Sequence, residues 1–275
     1  MSATQKEKGE RFLALHQGPG AFVIANPWDI GSAKILEGMG FPALATSSAA
    51  SAMAIGKRDG ALSREQALAH GRAIAGATDV PVSADLENGF GDAPETVAET
   101  VRLAGQAGLV GCTIEDSTGS AEKPVYDLEF AAERIAAGAK MARGLGFPFL
   151  LTARAHNLLY ANPSIDETIR RLQAYERAGA DVLFAPGLPD LAAVRSVCGA
   201  LSKPFNFMVG LKGKSFSVKD LAEAGVRRIS LATSLYRAAM TGLAEAAREV
   251  LEGGNFGFVE RGVATADLLK LMRIQ

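Results

Sequence analysis

The sequence predicts a (β/α)8 TIM barrel, an α/β fold of eight parallel strands that each lead into a helix. Three observations carry that prediction. Short apolar or β-branched runs alternate with Ala-rich helical segments along most of the 275 residues. The runs are continuously apolar rather than alternating, as strands of a parallel sheet covered on both faces require. Several segments repeat the order helix, glycine, short turn, strand: "EGMGFPAL", "GATDVPV", "RGLGFPFL", "ERAGADVL" and "AEAGVRRI". A glycine there adopts the left-handed geometry that closes a helix.

In chain order the strands fall at 21–26 ("AFVIAN"), 43–48 ("ALATSS"), 81–86 ("PVSADL"), 111–116 ("GCTIED"), 149–154 ("FLLTAR"), 181–186 ("DVLFAP"), 205–210 ("FNFMVG") and 227–232 ("RRISLA"). Helices fill 30–39, 63–76, 93–107, 127–144, 164–178, 188–201, 217–224 and 234–251. Such barrels commonly take about 250 residues as one domain. An open doubly wound sheet is the alternative, but no Gly-rich dinucleotide fingerprint follows the first strand. Residues 1–275 read as a single domain, with "GNFGFVERGVATADLLKLMRIQ" as an extra C-terminal helix for packing or oligomer contact.

Composition narrows the function. The net charge is −1, with Lys and Arg spread along the chain, so neither a nucleic-acid nor a membrane-surface partner is expected. The N-terminus is charged and helical in pattern, without the apolar core of a signal peptide, and no run of about 18 apolar residues could span a bilayer. Cys112 and Cys198 are two cysteines in apolar surroundings, which do not make a disulfide scaffold. They read as core residues of a cytoplasmic protein.

Active sites of barrels form at the C-terminal ends of the strands. Polar residues collect there. The first strand ends in Asn26, Trp28 and Asp29, and the second in Thr46, Ser47 and Ser48, with Asp59 in the following loop. The third supplies Asp85 and Glu87, the fourth Glu115 and Asp116, the fifth Arg154 and His156, and the seventh Asn206. Asp29 reads as a helix cap, Asp116 as a cap or loop acid, and Trp28 as a candidate pocket wall.

Four acids at one mouth (Asp59, Asp85, Glu87 and Glu115) repel one another unless a cation neutralises them. An all-oxygen donor set suits a hard ion, and Mg²⁺ takes one or two carboxylates while keeping several waters. Arg154 supplies a planar fork for a carboxylate or phosphonate.

These blocks resemble a known family. "SADLENGFGD" is similar to the "D-x-D-T-G-(F/Y)-G" segment of the isocitrate lyase/phosphoenolpyruvate mutase superfamily. "GCTIEDS" resembles its "G-x-x-I-E-D", "LLTARAHN" its fifth-strand "x-x-A-R-T-D-A", and "GFPALATSSAASAMAIGKRDG" its second strand and Ser/Gly-rich loop. Order and spacing agree over about residues 20–235. The resemblance implies Mg²⁺ (or Mn²⁺), a small 2-oxo or 2-hydroxy carboxylate substrate, and C–C or C–P chemistry beside an enolate. It implies a homo-oligomer, dimer or tetramer, whose last helix is exchanged between subunits. Asp85 then resembles the direct metal ligand, while Asp59, Glu87 and Glu115 match acids that hold its waters. Ser47, Ser48 and Ala49 match the loop that grips the substrate carboxylate, and Arg154 the substrate-binding arginine.

The chain also departs from the pattern. Where lyases of this kind carry "K-(K/R)-C-G-H", residues 117–128 read "STGSAEKPVYDL", with neither Cys nor His. The mutase "K-x-N-S" is also incomplete, since no Asn follows Lys123, although Asp59 sits where the mutase nucleophile would be. His156 replaces the fifth-strand Asp, Pro186 a sixth-strand Glu, and Met208 a seventh-strand Asn for which Asn206 is a substitute. The expectation is a Mg²⁺-dependent lyase that cleaves or decarboxylates a small acid, with His156 as candidate proton donor. The alternatives are C–P chemistry, as phosphoenolpyruvate phosphonomutase or phosphonopyruvate hydrolase, and a non-catalytic barrel that binds a small acid.

Overall fold

Eight parallel strands form one continuous sheet: β1 (Phe22–Ile24), β2 (Leu44–Ala45), β3 (Val82–Asp85), β4 (Gly111–Glu115), β5 (Leu150–Arg154), β6 (Val182–Phe184), β7 (Phe205–Met208) and β8 (Arg228–Ser230). The computed structural model describes residues 2–160 and 164–274. Strand neighbours run in chain order from β2 to β8, and β8 pairs with β1. A parallel bridge from Ala25 to Leu44 joins β1 to β2 and closes the barrel. The strands are short because only their central residues must share the ladder. Their apolar side chains, such as Val82, Leu151, Val182 and Leu183, are almost fully buried under the helices.

The helices are α1 (Gln5–Gln17), α2 (Ile30–Gly38), α3 (Ser48–Ala54), α4 (Arg64–Ala77), α5 (Pro94–Gln106), α6 (Leu128–Arg143), α7 (Ile165–Arg177), α8 (Leu191–Gly199), α9 (Val218–Glu223), α10 (Ser234–Gly253), α11 (Phe258–Arg261) and α12 (Thr265–Leu271). Each strand and helix expected from the alternation is present within a few residues of its expected ends. The first helix starts with a capping box, in which Thr4 and Glu7 satisfy each other's backbone N–H groups. It lays Phe12 across the N-terminal end of the barrel. There a Cβ on Gly111 would lie 2.8 Å from the Leu150 carbonyl and 3.0 Å from Phe12, so only glycine fits.

Two features differ from the sequence expectation. The Ser/Ala stretch after β2 is the short helix α3 rather than a loop, with Ser47 as its cap. The C-terminal segment is not one helix. Gly254 in left-handed geometry ends α10, and α11 and α12 follow as two short turns separated at Gly262. Packing explains the break, because α12 turns back onto α2 and brings the Leu271 carbonyl against Gly38, where no Cβ could fit. None of the residues of α10 is buried, and Leu243 and Leu251 stand exposed. Among the described residues no helix is long and apolar enough to cross a membrane.

Candidate active site

At the C-terminal mouth, β3 ends on Asp85, β4 on Glu115 and β5 on Arg154. The parallel register sets Glu115 directly beside Arg154. Arg154 Nη1 lies 3.4 Å from Glu115 Oε2 and 4.0 Å from Asp85 Oδ2, with the guanidinium carbon 4.9 Å from the Phe184 ring centre. The guanidinium is thus held on one side by carboxylates and on another by an aromatic face, while among the described residues its Nε makes no hydrogen bond.

Asp85 is anchored from three directions. Its Oδ2 accepts from the Ser48 hydroxyl at 3.1 Å and the Ser48 N–H at 3.3 Å, its Oδ1 accepts from the Glu87 N–H at 3.3 Å, and its own N–H donates to Thr46 at 3.0 Å. Burial raises its carboxyl above the usual range, and neighbouring Glu115 adds to this, against the opposing charge of Arg154. Glu87 stands in left-handed backbone geometry at φ 51°, and its Oε1 is buried without a hydrogen-bond partner among the described residues. Desolvation, then the charges of Asp85, Asp59 and Glu115, pushes its carboxyl up to about 7. Gly89 follows at φ 87°, and Gly91 has Thr96 too near for a Cβ, which explains the glycines of "ENGFG".

Glu115 behaves in the opposite way. Burial alone would raise its pKa, but Arg154 and His156 beside it outweigh burial and hold it down at about 2. His156 Nε2 is 3.1 Å from Glu115 Oε2, and among the described residues neither ring nitrogen makes a hydrogen bond. Its backbone N–H donates to Asp116 at 2.8 Å. Asp116 is buried and not a loop acid: it also accepts from Tyr175 at 2.5 Å and pairs with Arg171 at 3.0 Å. That network ties β4, β5 and α7 together beneath the mouth.

These strand ends frame a cavity of ≈ 210 Å³. Ser47, Ser48, Ala49, Asp59, Asp85, Arg154 and Asn206 all lie on its wall. Glu87, Glu115 and His156 stand behind that wall rather than on it. Trp28 is also off the wall, packed edge-on to Tyr236 with ring centres 5.5 Å apart. Asp59 is exposed at the rim, and among the described residues its carboxylate accepts a hydrogen bond only from the N–H of Gly60. Asn206 is fully engaged inside, accepting from Arg228 at 2.7 Å and donating to Ser230 at 3.0 Å. Asp29 caps α2, as expected. Residues 117–126 form a short turn closed by the Ser117–Val125 bridge, with Lys123 paired to Asp127 at 2.5 Å.

Sequence reasoning did not single out Ser83, Thr113, Arg228 or Thr233, which also line the cavity, whereas Thr46, expected at the end of the second strand, is on the wall and accepts from the Asp85 N–H. One signal was available for Arg228. In "RRIS" successive residues must face opposite sides of a closed sheet, so one of two adjacent arginines had to point into the barrel.

Among the described residues no three His, Cys, Asp or Glu side chains form a ready-made metal cage. The donor set nevertheless fits a hydrated hard ion. Asp85 and Glu87 carry raised carboxyls, and Glu87 keeps an unbonded oxygen, the situation that a divalent cation relieves.

Fold and site together define a barrel of the kind that works on small anions with carboxylates and an arginine at its mouth. The chain belongs to the phosphoenolpyruvate phosphomutase family, whose pattern matches residues 12–251, within the phosphoenolpyruvate mutase/isocitrate lyase superfamily. It is 48% identical to a candidate lyase/mutase of Burkholderia cenocepacia J2315, with a TM-score of 0.95 over 98% of this chain and 97% of the other. The structure of a 2,3-dimethylmalate lyase matches with a TM-score of 0.86 at 25% identity, over 96% of this chain and 94% of that one. An oxaloacetate decarboxylase of Bradyrhizobium diazoefficiens is 29% identical over 96% of this chain and 91% of its own. The superfamily holds carbon–carbon lyases and mutases alike.

Proposed function

We propose that this chain is a metal-dependent lyase that cleaves a C–C bond, or removes CO₂, in a small 2-oxo or 2-hydroxy carboxylic acid through an enolate. The observation that carries this reading is Arg154, held by Glu115 and Asp85 on the wall of the cavity at the barrel mouth. Its similarity to an oxaloacetate decarboxylase and a 2,3-dimethylmalate lyase supports C–C chemistry. The loop at 117–128, where no Cys or His offers the lid acid that larger cleavages use, favours decarboxylation over those cleavages. Loss of CO₂ generates the enolate by itself.

Mg²⁺ (or Mn²⁺) would be held by Asp85, with Glu87, Glu115 and Asp59 around its waters, and would supply Lewis-acid stabilisation of an oxyanion. The chain's own residues do the rest. Arg154 pairs with the substrate carboxylate, and Ser47, Ser48 and Ala49 orient it against the cavity wall. Their fixed dipoles face the position where negative charge develops, and they need no reorganisation as it forms. Asp59, exposed at the rim and on the wall, passes a proton from solvent to the carbanion carbon. His156, behind Glu115, keeps that carboxylate ionised and oriented toward Arg154. Asn206 holds the inner wall by tying β7 to β8.

The second reading, C–P chemistry on a phosphonate, is favoured by one observation: Asp59 lies on the cavity wall where a nucleophile could reach the substrate. The unburied α10 supports a homo-oligomer in which a partner subunit covers it. The chemistry is tested by a substrate panel with Mg²⁺ that includes oxaloacetate, alkylmalates, isocitrate, methylisocitrate, phosphoenolpyruvate and phosphonopyruvate. Pyruvate or oxo-acid release without phosphate supports the lyase. Phosphate release or phosphonate rearrangement supports C–P chemistry. Binding without turnover supports an acid-binding barrel.

A further inference from the structure

Below Arg154 the barrel interior is polar, and it holds a second arginine. Arg228 is 3% exposed and lies on the cavity wall. Its Nε donates to Asn206 Oδ1 at 2.7 Å and its Nη2 to Thr152 Oγ1 at 3.0 Å. Thr152 precedes Arg154 by two residues on β5, so the two guanidinium groups are reached from levels about 6.6 Å apart along the strand. Ser83, Thr113 and Ser230 complete a lining of small hydroxyls.

The charge of Arg228 is uncompensated. Among the described residues no carboxylate lies within ion-pair distance of it, and its Nη1 is buried without any hydrogen-bond partner. A buried guanidinium is normally paired, because removing it from water costs several kcal/mol that a counter-charge must offset. Here burial lowers its pKa to about 9, which still leaves it charged at neutral pH. An apolar residue would fill the barrel floor more cheaply if filling were the only requirement. Arg154 differs in this respect, since it has Glu115 and Asp85 beside it.

We propose that Arg228 is the inner anchor for a second acidic group of the substrate, so that the cavity selects a di-acid. One carboxylate sits at Arg154 with Ser47 and Ser48, and the other oxyanion descends to the free Nη1 of Arg228. This rests on the small-acid reading given above and specifies its substrate class. A mono-acid would reach the mouth but leave the floor charge unpaired.

The test compares lactate with malate, which share a 2-hydroxy acid head and differ by the second carboxylate. Both are titrated calorimetrically into the Mg²⁺-loaded protein. Wild type should bind malate at least about tenfold more tightly than lactate, the scale expected for a buried charge pair. In Arg228→Met that preference should collapse to within about twofold, with lactate affinity unchanged and the melting temperature equal or higher. Arg228→Gln, which removes the charge but keeps a polar amide donor in the barrel interior, carries the same test should the first variant fail to fold. Equal affinity in wild type, or an undiminished preference in both variants, overturns the anchor while leaving the mouth's reading intact. Binding of neither acid overturns both. Inorganic phosphate that binds through Arg228 without competing with malate would mark a separate anion site and also overturn the proposal.

Discussion

Glu115 and Arg154 are register partners on adjacent strands, and their charged groups meet at 3.4 Å, with Arg154 on the cavity wall and Glu115 behind it. Backbone pairing therefore aims the guanidinium, with no reliance on a flexible loop. Holding it costs little entropy at the moment a substrate arrives, which is the advantage of a preorganised site.

Exchanging Arg154 for Lys keeps the charge but removes the planar fork. The activity measured as kcat/KM should fall by about 10²-fold or more, the range for a lost bidentate charged contact. Glu115→Gln should instead act on stability. It leaves a mostly buried Arg154 short of its closest counter-charge, at a cost of about 3 kcal/mol in urea unfolding. Unchanged stability in Glu115→Gln would show that Asp85 alone suffices.

Glu87 gives the metal-free protein a pH dependence with a definite sign. Its carboxyl is raised to about 7, first by burial and then by Asp85, Asp59 and Glu115. The folded state therefore binds more protons than the unfolded one between the ordinary glutamate value and pH 7. Stability from this group should fall as pH rises through that window and stay low above it. Mg²⁺ should consequently stabilise the protein more at pH 8 than at pH 5, and Asp85→Ala should remove that effect. Urea midpoints across pH, with and without Mg²⁺, decide the matter; a cation effect independent of pH would contradict it.

Asp59 separates two chemistries. As a rim proton carrier its loss is partly made good by water, so Asp59→Ala should retain a few per cent of activity, a drop of about 10- to 100-fold. As a nucleophile in C–P chemistry its loss would leave nothing above background. Single-turnover product formation distinguishes these outcomes.

Asp116 should prove structural. It holds the His156 N–H, Arg171 and the Tyr175 hydroxyl together in a buried network. Asp116→Asn should lower stability by about 3 kcal/mol, the scale for disrupting a buried ion pair. Substrate affinity of the protein that remains folded should change much less, which a parallel KM measurement would check.

How much of this was legible in the sequence depended on what fixes each element. The strands were readable because two-sided burial demands unbroken apolar runs, and Asp85, Glu115 and Arg154 followed from their place at strand ends. Glycines 89 and 91 were readable for a related reason, since only a sharp turn tolerates such loss of side chains. The C-terminal segment was not readable as two helices, because its shape answers to the groove at Gly38 on α2, more than 200 residues away in the chain. Trp28 and His156 have the residue types of a pocket wall, yet whether a side chain faces the cavity or the layer behind it depends on local backbone turns. Arg228 was overlooked because "RRIS" looks like a charged strand edge until the barrel closes around it.

We expect metal-dependent cleavage of a small di-acid at the Asp85–Arg154 mouth. It is tested most directly by following pyruvate or other oxo-acid release from oxaloacetate and the alkylmalates, with Mg²⁺ and with chelator, in wild type, Asp85→Ala and Arg154→Lys. Release is expected from at least one of these acids, abolished by chelator and by Asp85→Ala, and reduced at least about 10²-fold by Arg154→Lys. Release that persists in chelator and in Asp85→Ala, or no release from any acid that binds, would contradict it.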